Sequence, residues 1–283
     1  MQIELTNATR KLCVIGDPVL HSKSPLIQNT MLRALGLDYI YLCQSVPRGQ
    51  AAHWLECARF SGYAGFNATM PHKEDLLPLM DVLDEDARLY GAVNTICIKN
   101  GKYYGFNTDG RGFYRALADL DAEIPGRRVT LLGAGGAAKA VALKLVQQGA
   151  ARVTVCNRTP GRARQLCALA PDKMSPDAFG SAALARRAAE TDLLINCTSL
   201  GMTGTTGRFE DLSFLDTLPP SVPVCDLIYA PAETELLRRA RLGGHPTMNG
   251  LGMLIYQAVF ALEHFTDTAV DAAAMAALVR AAL

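Results

Sequence analysis

Between Leu131 and Lys139 the chain reads Leu-Leu-Gly-Ala-Gly-Gly-Ala-Ala-Lys, so small residues recur as Gly133-x-Gly135-x-x-Ala138. This spacing suits a backbone that must approach a pyrophosphate. Gly133 allows a sharp turn out of a strand, Gly135 removes a side chain from the ligand's path, and Ala138 lets the next helix lie close to that strand. The free N–H groups and positive dipole end of that helix would face the phosphates. A dinucleotide is therefore expected here, against Gly133, Ala134, Gly135, Gly136 and Ala137. The following strand-like run ends in Asn157-Arg158-Thr159, with Arg162 close behind and no carboxylate among them. A unit that binds NAD usually carries Asp or Glu near this point for the ribose 2′-hydroxyl. An arginine instead pairs with a 2′-phosphate, which an acid would repel. The expected cofactor is NADP.

A second group of polar residues occupies the N-terminal half: Ser22 and Ser24, Asn67 with Thr69 and Lys73, Asn94, and Asn107 with Asp109. They fall where strand-like runs end, the place at which open α/β sheets gather ligands. Hydroxyls, carboxamides, one ammonium and one carboxylate suit a small molecule with several hydroxyls and an acid group. Singly, Ser24 and Asn67 could be cap or turn formers.

The elements that position these residues alternate, as in an α/β protein with parallel strands. Lys11–Ile15, Tyr39–Val46 and Gly65–Thr69 read as strands. Ser24-Pro25 predicts a helix to about Gly36, with Ser24 at the N-cap and Pro25 behind it. A second helix is expected over Gln50–Phe60 and a third from Pro71, which would place Lys73 in its first turn against the helix dipole. Ala92–Ile98 and Tyr103–Phe106 flank Asn100-Gly101, a two-residue hairpin turn. A new unit starts near Gly110, with strands Arg128–Leu132 and Arg152–Cys156 around a helix Lys139–Gln148 ended by Gly149. Further strands are expected at Asp192–Ile195 and Val222–Asp226. Ser181–Ala189 is helix-prone, and the pattern after Gly250 is helical, through Leu254–Phe265 and Ala269–Leu283.

With 283 residues the chain is long enough for two domains. Its net charge of +1 argues against a nucleic-acid surface, and no apolar run approaches the length of a membrane span. The first residues lack the pattern of a signal peptide, so a cytoplasmic location is the default. Of the eight cysteines, none forms a Cys-x-x-Cys pair. Cys13, Cys43, Cys156, Cys197 and Cys225 lie in or beside apolar runs and read as small buried hydrophobes. His53 and Cys57 stand one helical turn apart without a second pair to complete a metal site. No metal is expected.

The order of these motifs resembles the shikimate dehydrogenase family over nearly the whole chain. The stretches that carry the likeness are Gly16–Pro25, Asn67–Lys73, Gly91–Thr95, Asn107–Gly110, Gly133–Ala138, Asn157–Thr159, Asn196–Met202, Asp226–Pro231 and Gly250–Gln257. The resemblance implies that Ser22 and Ser24 bind a substrate carboxylate, and that Thr69, Lys73, Asn94, Asp109, Tyr229 and Gln257 complete the substrate site. It also implies that Asn157, Arg158, Thr159 and Arg162 receive the adenosine 2′-phosphate, with Thr198 and Gly250 beside the cofactor. Ala68, Cys197 and Asn249 depart from residues usual in the family, and none of these changes removes a catalytic group. Family members that take quinate or prefer NAD often place an acid near Asn157, which is absent here.

The implied reaction is the reversible NADPH-dependent reduction of 3-dehydroshikimate to shikimate, in the shikimate pathway of aromatic amino acid (chorismate) biosynthesis. Lys73 is the expected proton donor, paired with Asp109; His72, its neighbour, is expected to be structural. The expected architecture is α/β: an N-terminal substrate-binding domain of residues 1–109 plus 252–283, a Rossmann-type NADP domain of residues 110–251, and a cleft between them. The protein is expected as a monomer or homodimer acting on small molecules. Alternatives are a quinate/shikimate dehydrogenase of broader substrate and cofactor use, a catalytically weak ligand-binding relative, and an NADP-binding structural subunit.

Overall fold

The computed structural model describes residues 5–283. They divide into two units, one running through Thr108 and resuming at Ile255–Leu283, the other spanning Asp109–Leu254. Each is built on its own six-stranded sheet.

The first unit opens with strand β1 (Arg10–Gly16), helix α1 (Ser24–Ala34), β2 (Tyr39–Ser45), α2 (Ala51–Phe60) and β3 (Tyr63–Ala68). β1 lies between β2 and β3, parallel to both. Its interior residues are fully buried, as two-sided covering by helices requires. The sheet continues through β5 (Thr95–Lys99), antiparallel to both β3 and β6 (Lys102–Phe106), to β4 (Val82–Leu83) at its edge, which runs parallel to β6. The hairpin between β5 and β6 turns at Asn100 and Gly101, whose φ angles of 50° and 74° are those a two-residue hairpin turn demands. A short helix α3 (Glu85–Tyr90), capped by Asp84 and ended by left-handed Gly91, precedes β5. Phe66, Ile96, Cys13 and Ile15 form the centre of the core. After Ile255 the chain returns to this unit in helices α9 (Leu251–Thr266) and α10 (Ala272–Ala282). Gln28 of α1 donates to the Ala258 carbonyl of α9 at 2.9 Å, a buried bond that ties the returning helix down.

Two expectations fail in this unit. Ser24 is the first residue of α1, not its cap; Lys23 holds the cap position without a side-chain bond, and the Ser22 hydroxyl accepts from the Ser24 N–H at 3.2 Å. No α-helix follows Pro71. The segment is a run of turns ending in a 3-10 helix at Leu77–Leu79. Pro78 explains this, because it has no N–H to continue an α-helix and disfavours the α conformation at Leu77. Lys73 therefore lies in a turn and does not stand against a helix dipole.

The second unit begins with α4 (Asp109–Leu117), then β7 (Arg128–Leu132), α5 (Gly136–Gln147), β8 (Arg152–Cys156), α6 (Pro160–Cys167), β9 (Met174–Asp177), α7 (Ser181–Ala188) and β10 (Leu193–Asn196). It closes with β11 (Val224–Asp226), α8 (Glu235–Leu242) and β12 (Thr247–Met248). All six strands are parallel, in the order β12-β11-β10-β7-β8-β9. This is a doubly wound sheet in which the order of adding strands reverses between β7 and β10, where such sheets bind ligands. Helix α5 starts at Gly136, three residues before the expected Lys139, because Gly135 acts as its cap and accepts from the Lys139 N–H at 2.9 Å.

Candidate active site

In the first unit, the carboxyl ends of β1 and β3 lie side by side: the Thr69 N–H donates to the Ile15 carbonyl at 2.9 Å, and the Asp17 N–H to the Met70 carbonyl at 3.1 Å. The antiparallel β5 begins at the same end, so Asn94 arrives beside Ala68, whose N–H donates to the Asn94 carbonyl at 3.0 Å. β6 ends there too. The Asn94 side chain donates to the Thr108 hydroxyl at 2.9 Å and accepts from the Thr108 N–H at 3.0 Å. Topology thus brings Thr69, Asn94 and Thr108 to one end of the sheet, and Asp109 follows in the chain. The Lys73 carbonyl accepts from the Val93 N–H at 2.9 Å, which ties the Lys73 turn to the residue before Asn94. Ser22, on the segment after β1, and Ser24, the first residue of α1, lie close together at the same end, both half-buried. Asn94 is 2% exposed and Asp109 only 7%, so these polar groups are withdrawn from bulk water.

Asn67 is scaffold. Its amide donates to the Asn94 carbonyl and the Thr95 hydroxyl, each at 2.9 Å, and its oxygen accepts from the Tyr41 hydroxyl at 2.6 Å. His72 is fully buried with its Nε2 2.8 Å from the Val46 carbonyl, so it is aimed into the core. His53 and Cys57 come within 3.6 Å of each other, and no cluster of metal-ligating side chains exists among the described residues.

In the second unit, the glycine turn leaves β7 at the reversal point. Gly133 has φ +105°, a conformation that L side chains rarely adopt, and a Cβ there would come within 3.1 Å of the Cys197 backbone and Thr198. Beyond it, a Cβ on Gly135 or Gly136 would meet nothing within 4 Å. The start of α5, which has no side-chain cap, therefore faces open space with its first-turn N–H groups unclaimed by a side chain. That is the cradle a pyrophosphate fills. Ala138 is fully buried beneath it, closing the helix onto the strand.

The turn after β8 is shaped by Asn157, whose amide donates to the Thr159 carbonyl at 2.9 Å. It projects Arg158 to the surface, and Arg162 lies exposed on α6. Arg158 lines a cavity of about 360 Å³ together with Phe179, Phe209, Arg208 and the carboxylates Glu210 and Asp211. Asp177, at the end of β9 and paired in register with Cys156 at the end of β8, is engaged in an ion pair with Arg187. No carboxylate follows β8 directly, in keeping with the preference for a phosphorylated ribose.

Thr198 sits on the loop after β10, held by bonds from its N–H and hydroxyl to the Asn196 side chain at 3.0 and 2.7 Å. Tyr229 follows β11 and is half-buried, which pushes its phenol above the ordinary value. Gly250 is buried, and a Cβ there would come within 1.9 Å of the Leu227 carbonyl oxygen, so only glycine permits the approach. Gln257, half-buried, lies on α9 in the first unit. Sequence inspection assigned no role to Asp226, Asn196 or Thr234, although these buried polar residues shape the loops that carry Thr198 and Tyr229.

The model of the shikimate dehydrogenase substrate binding domain matches residues 14–96, that of shikimate / quinate 5-dehydrogenase matches 116–204, and that of the shikimate 5′-dehydrogenase C-terminal domain matches 250–280. The shikimate dehydrogenase (NADP(+)) of Alkaliphilus metalliredigens is 40% identical over 271 residues, which cover 94% of each chain. The chain belongs to the shikimate dehydrogenase family. Among solved relatives of this family, shikimate 5-dehydrogenase from Thermus thermophilus, in complex with NADP(H) and shikimate, superposes with a TM-score of 0.83 at 33% identity, covering 97% of this chain and 100% of its own. The 5-ketofructose reductase of a Gluconobacter strain gives 0.85 at 31% identity, covering 98% and 100%. The fold is therefore shared by enzymes named for shikimate and for 5-ketofructose.

Proposed function

We propose that this chain catalyses the reversible NADPH-dependent reduction of 3-dehydroshikimate to shikimate, the alcohol-forming step of the pathway to chorismate and the aromatic amino acids. The observation that carries this is the convergence of Thr69, Lys73, Asn94 and the Ser22–Ser24 turn on one end of the first sheet, in a chain that also holds a phosphate cradle and Arg158. The unit through Thr108 with Ile255–Leu283 takes the substrate, and Asp109–Leu254 the cofactor. In this reading Ser22 and Ser24 bind the substrate carboxylate, and Thr69, Asn94, Asp109, Tyr229 and Gln257 hold its ring hydroxyls.

When bound, the nicotinamide supplies hydride to the carbonyl carbon. The carbonyl π electrons then move onto oxygen, which needs a proton. Lys73 donates that proton from its ammonium group and afterwards regains one from solvent; before transfer its charge stabilises the developing oxyanion. Asp109 pairs with the ammonium and with a neighbouring hydroxyl, fixing the donor's position. Gly133–Ala137, with Thr198 and Gly250 beside them, would hold the cofactor's pyrophosphate, and Asn157, Arg158, Thr159 and Arg162 its 2′-phosphate.

All eight cysteines are free thiols, in keeping with a reducing compartment, and no described helix is long and apolar enough to cross a membrane. The reading places the enzyme in the cytoplasm, as a monomer or homodimer. Steady-state assays with shikimate, quinate and reduced sugars against both cofactors test it: selective turnover of shikimate with NADP supports it, and selective turnover of another substrate replaces it.

A further inference from the structure

Asp226 is the last residue of β11 and is fully buried. A buried carboxylate is costly unless donors surround it, and three donors do. The Asn196 amide and the Ile228 N–H reach Oδ1, each at 3.0 Å, and the Thr234 hydroxyl reaches Oδ2 at 2.7 Å. Each donor belongs to a different segment. Asn196 ends β10 and through its oxygen holds both the N–H and the hydroxyl of Thr198, whose hydroxyl in turn accepts from the Leu200 N–H at 3.1 Å. Ile228 precedes Tyr229, and its carbonyl accepts from the Gly250 N–H at 3.0 Å. Thr234 is the cap of α8, accepting from the Leu237 N–H at 3.3 Å. The two loops are also joined directly, the Thr203 N–H donating to the Ala230 carbonyl at 2.8 Å.

The Thr198 loop lies against Gly133, and the Tyr229 loop lies against Gly250. One carboxylate thus holds the backing of the phosphate-binding turn and the segment bearing Tyr229. We propose that Asp226 is a positioning residue that sets the cofactor-facing Thr198 loop and the substrate-facing Tyr229 segment in register, so that its loss weakens the binding of both ligands although it touches neither. The proposal rests on the roles given above to Thr198 and Tyr229. Stability alone is a poor account of the arrangement, because burying a charge among neutral donors is often no better than an apolar replacement.

The test is steady-state kinetics on Asp226→Ser, Asp226→Asn and Thr234→Val, with shikimate and NADP varied separately and folding checked by thermal denaturation. Asp226→Ser removes the acceptors and is expected to raise KM for both ligands about tenfold, with kcat changed less than about threefold. Asp226→Asn keeps an oxygen for Asn196 and Ile228 and can donate to the Thr234 hydroxyl; it should recover most of both losses. Thr234→Val, which cuts a single link, should raise both KM values at least threefold. Single-site comparisons fix the pattern: Thr198→Ala should affect NADP alone, and Tyr229→Phe shikimate alone. If folded Asp226→Ser leaves either KM within twofold of the wild type, or if Asn rescues nothing, the proposal fails. Should Asp226→Ser not fold, unchanged KM values in Thr234→Val overturn it. Wild-type turnover of shikimate with NADP is scored independently, so failure of the assigned reaction is distinguishable from failure of this inference.

Discussion

Lys73 and Arg158 each face a ligand in this account, and Asp226 positions the loops behind them. Removing the proton donor in Lys73→Ala should lower kcat by roughly 10²–10⁴-fold, the usual worth of a positioned general acid, while NADP binding followed by fluorescence stays unchanged; a variant retaining most of its turnover would remove Lys73 from the mechanism. Arg158 faces a different ligand. Arg158→Ser should raise KM for NADP by about ten- to a hundredfold, the scale of a charge-assisted hydrogen-bond pair, and leave KM for NAD nearly unaltered. Asp226 should announce itself in the pH dependence of stability. Burial pushes its carboxyl up to about 6 against the bonds from Ile228, Thr234 and Asn196, from an ordinary value of 3.8. Between those values the folded chain binds a proton that the unfolded chain has lost, so this group's contribution to stability falls as pH rises from about 4 to 6 and is level above and below. The change is on the order of 3 kcal/mol, and urea midpoints across that range should show it in the wild type and not in Asp226→Asn.

At the scale of elements, the site depends on turns that only certain residues permit. Gly133→Ala would force an alanine into a φ of +105° and against the Cys197 backbone; a loss of about 1–3 kcal/mol of stability, together with weakened NADP binding, is expected in denaturant titration and fluorescence. Strands with β-branched or apolar interiors, such as Arg128–Leu132 and Arg152–Cys156, were legible to the residue because both faces of each are buried. The sharp turn at Gly133 was legible too, since its positive φ and the Cys197 backbone beside it leave little room for a side chain. What escaped notice was set by neighbours. β9, Met174–Asp177, contains Pro176 and shows no alternation; pairing with β8 makes it an edge strand. The helix expected from Pro71 failed on Pro78, seven residues on. Helices α3 and α8 carried readable caps in Asp84 and Thr234, but their short apolar faces were easily missed. The Asp226 network was illegible because its members lie thirty and eight residues from the hub, and only the parallel pairing of β10 with β11 brings Asn196 to Asp226.

For the whole molecule, two sheets on one chain divide the labour between a polar sheet end and a phosphate cradle, with the chain passing from one unit to the other after Thr108 and again at Ile255. A ligand that binds only the folded state stabilises it by mass action. NADP at a hundred times its Kd should therefore add about 2.7 kcal/mol and raise Tm by several degrees, and NAD at the same concentration should add less. The central claim concerns the reaction itself, and its most direct test is the initial rate of cofactor reduction, followed near the nicotinamide absorbance at about 340 nm, with shikimate and quinate each offered against NADP and NAD. Rapid turnover confined to shikimate with NADP is the predicted result. Equal rates with quinate or NAD, or binding of shikimate without turnover, would contradict it.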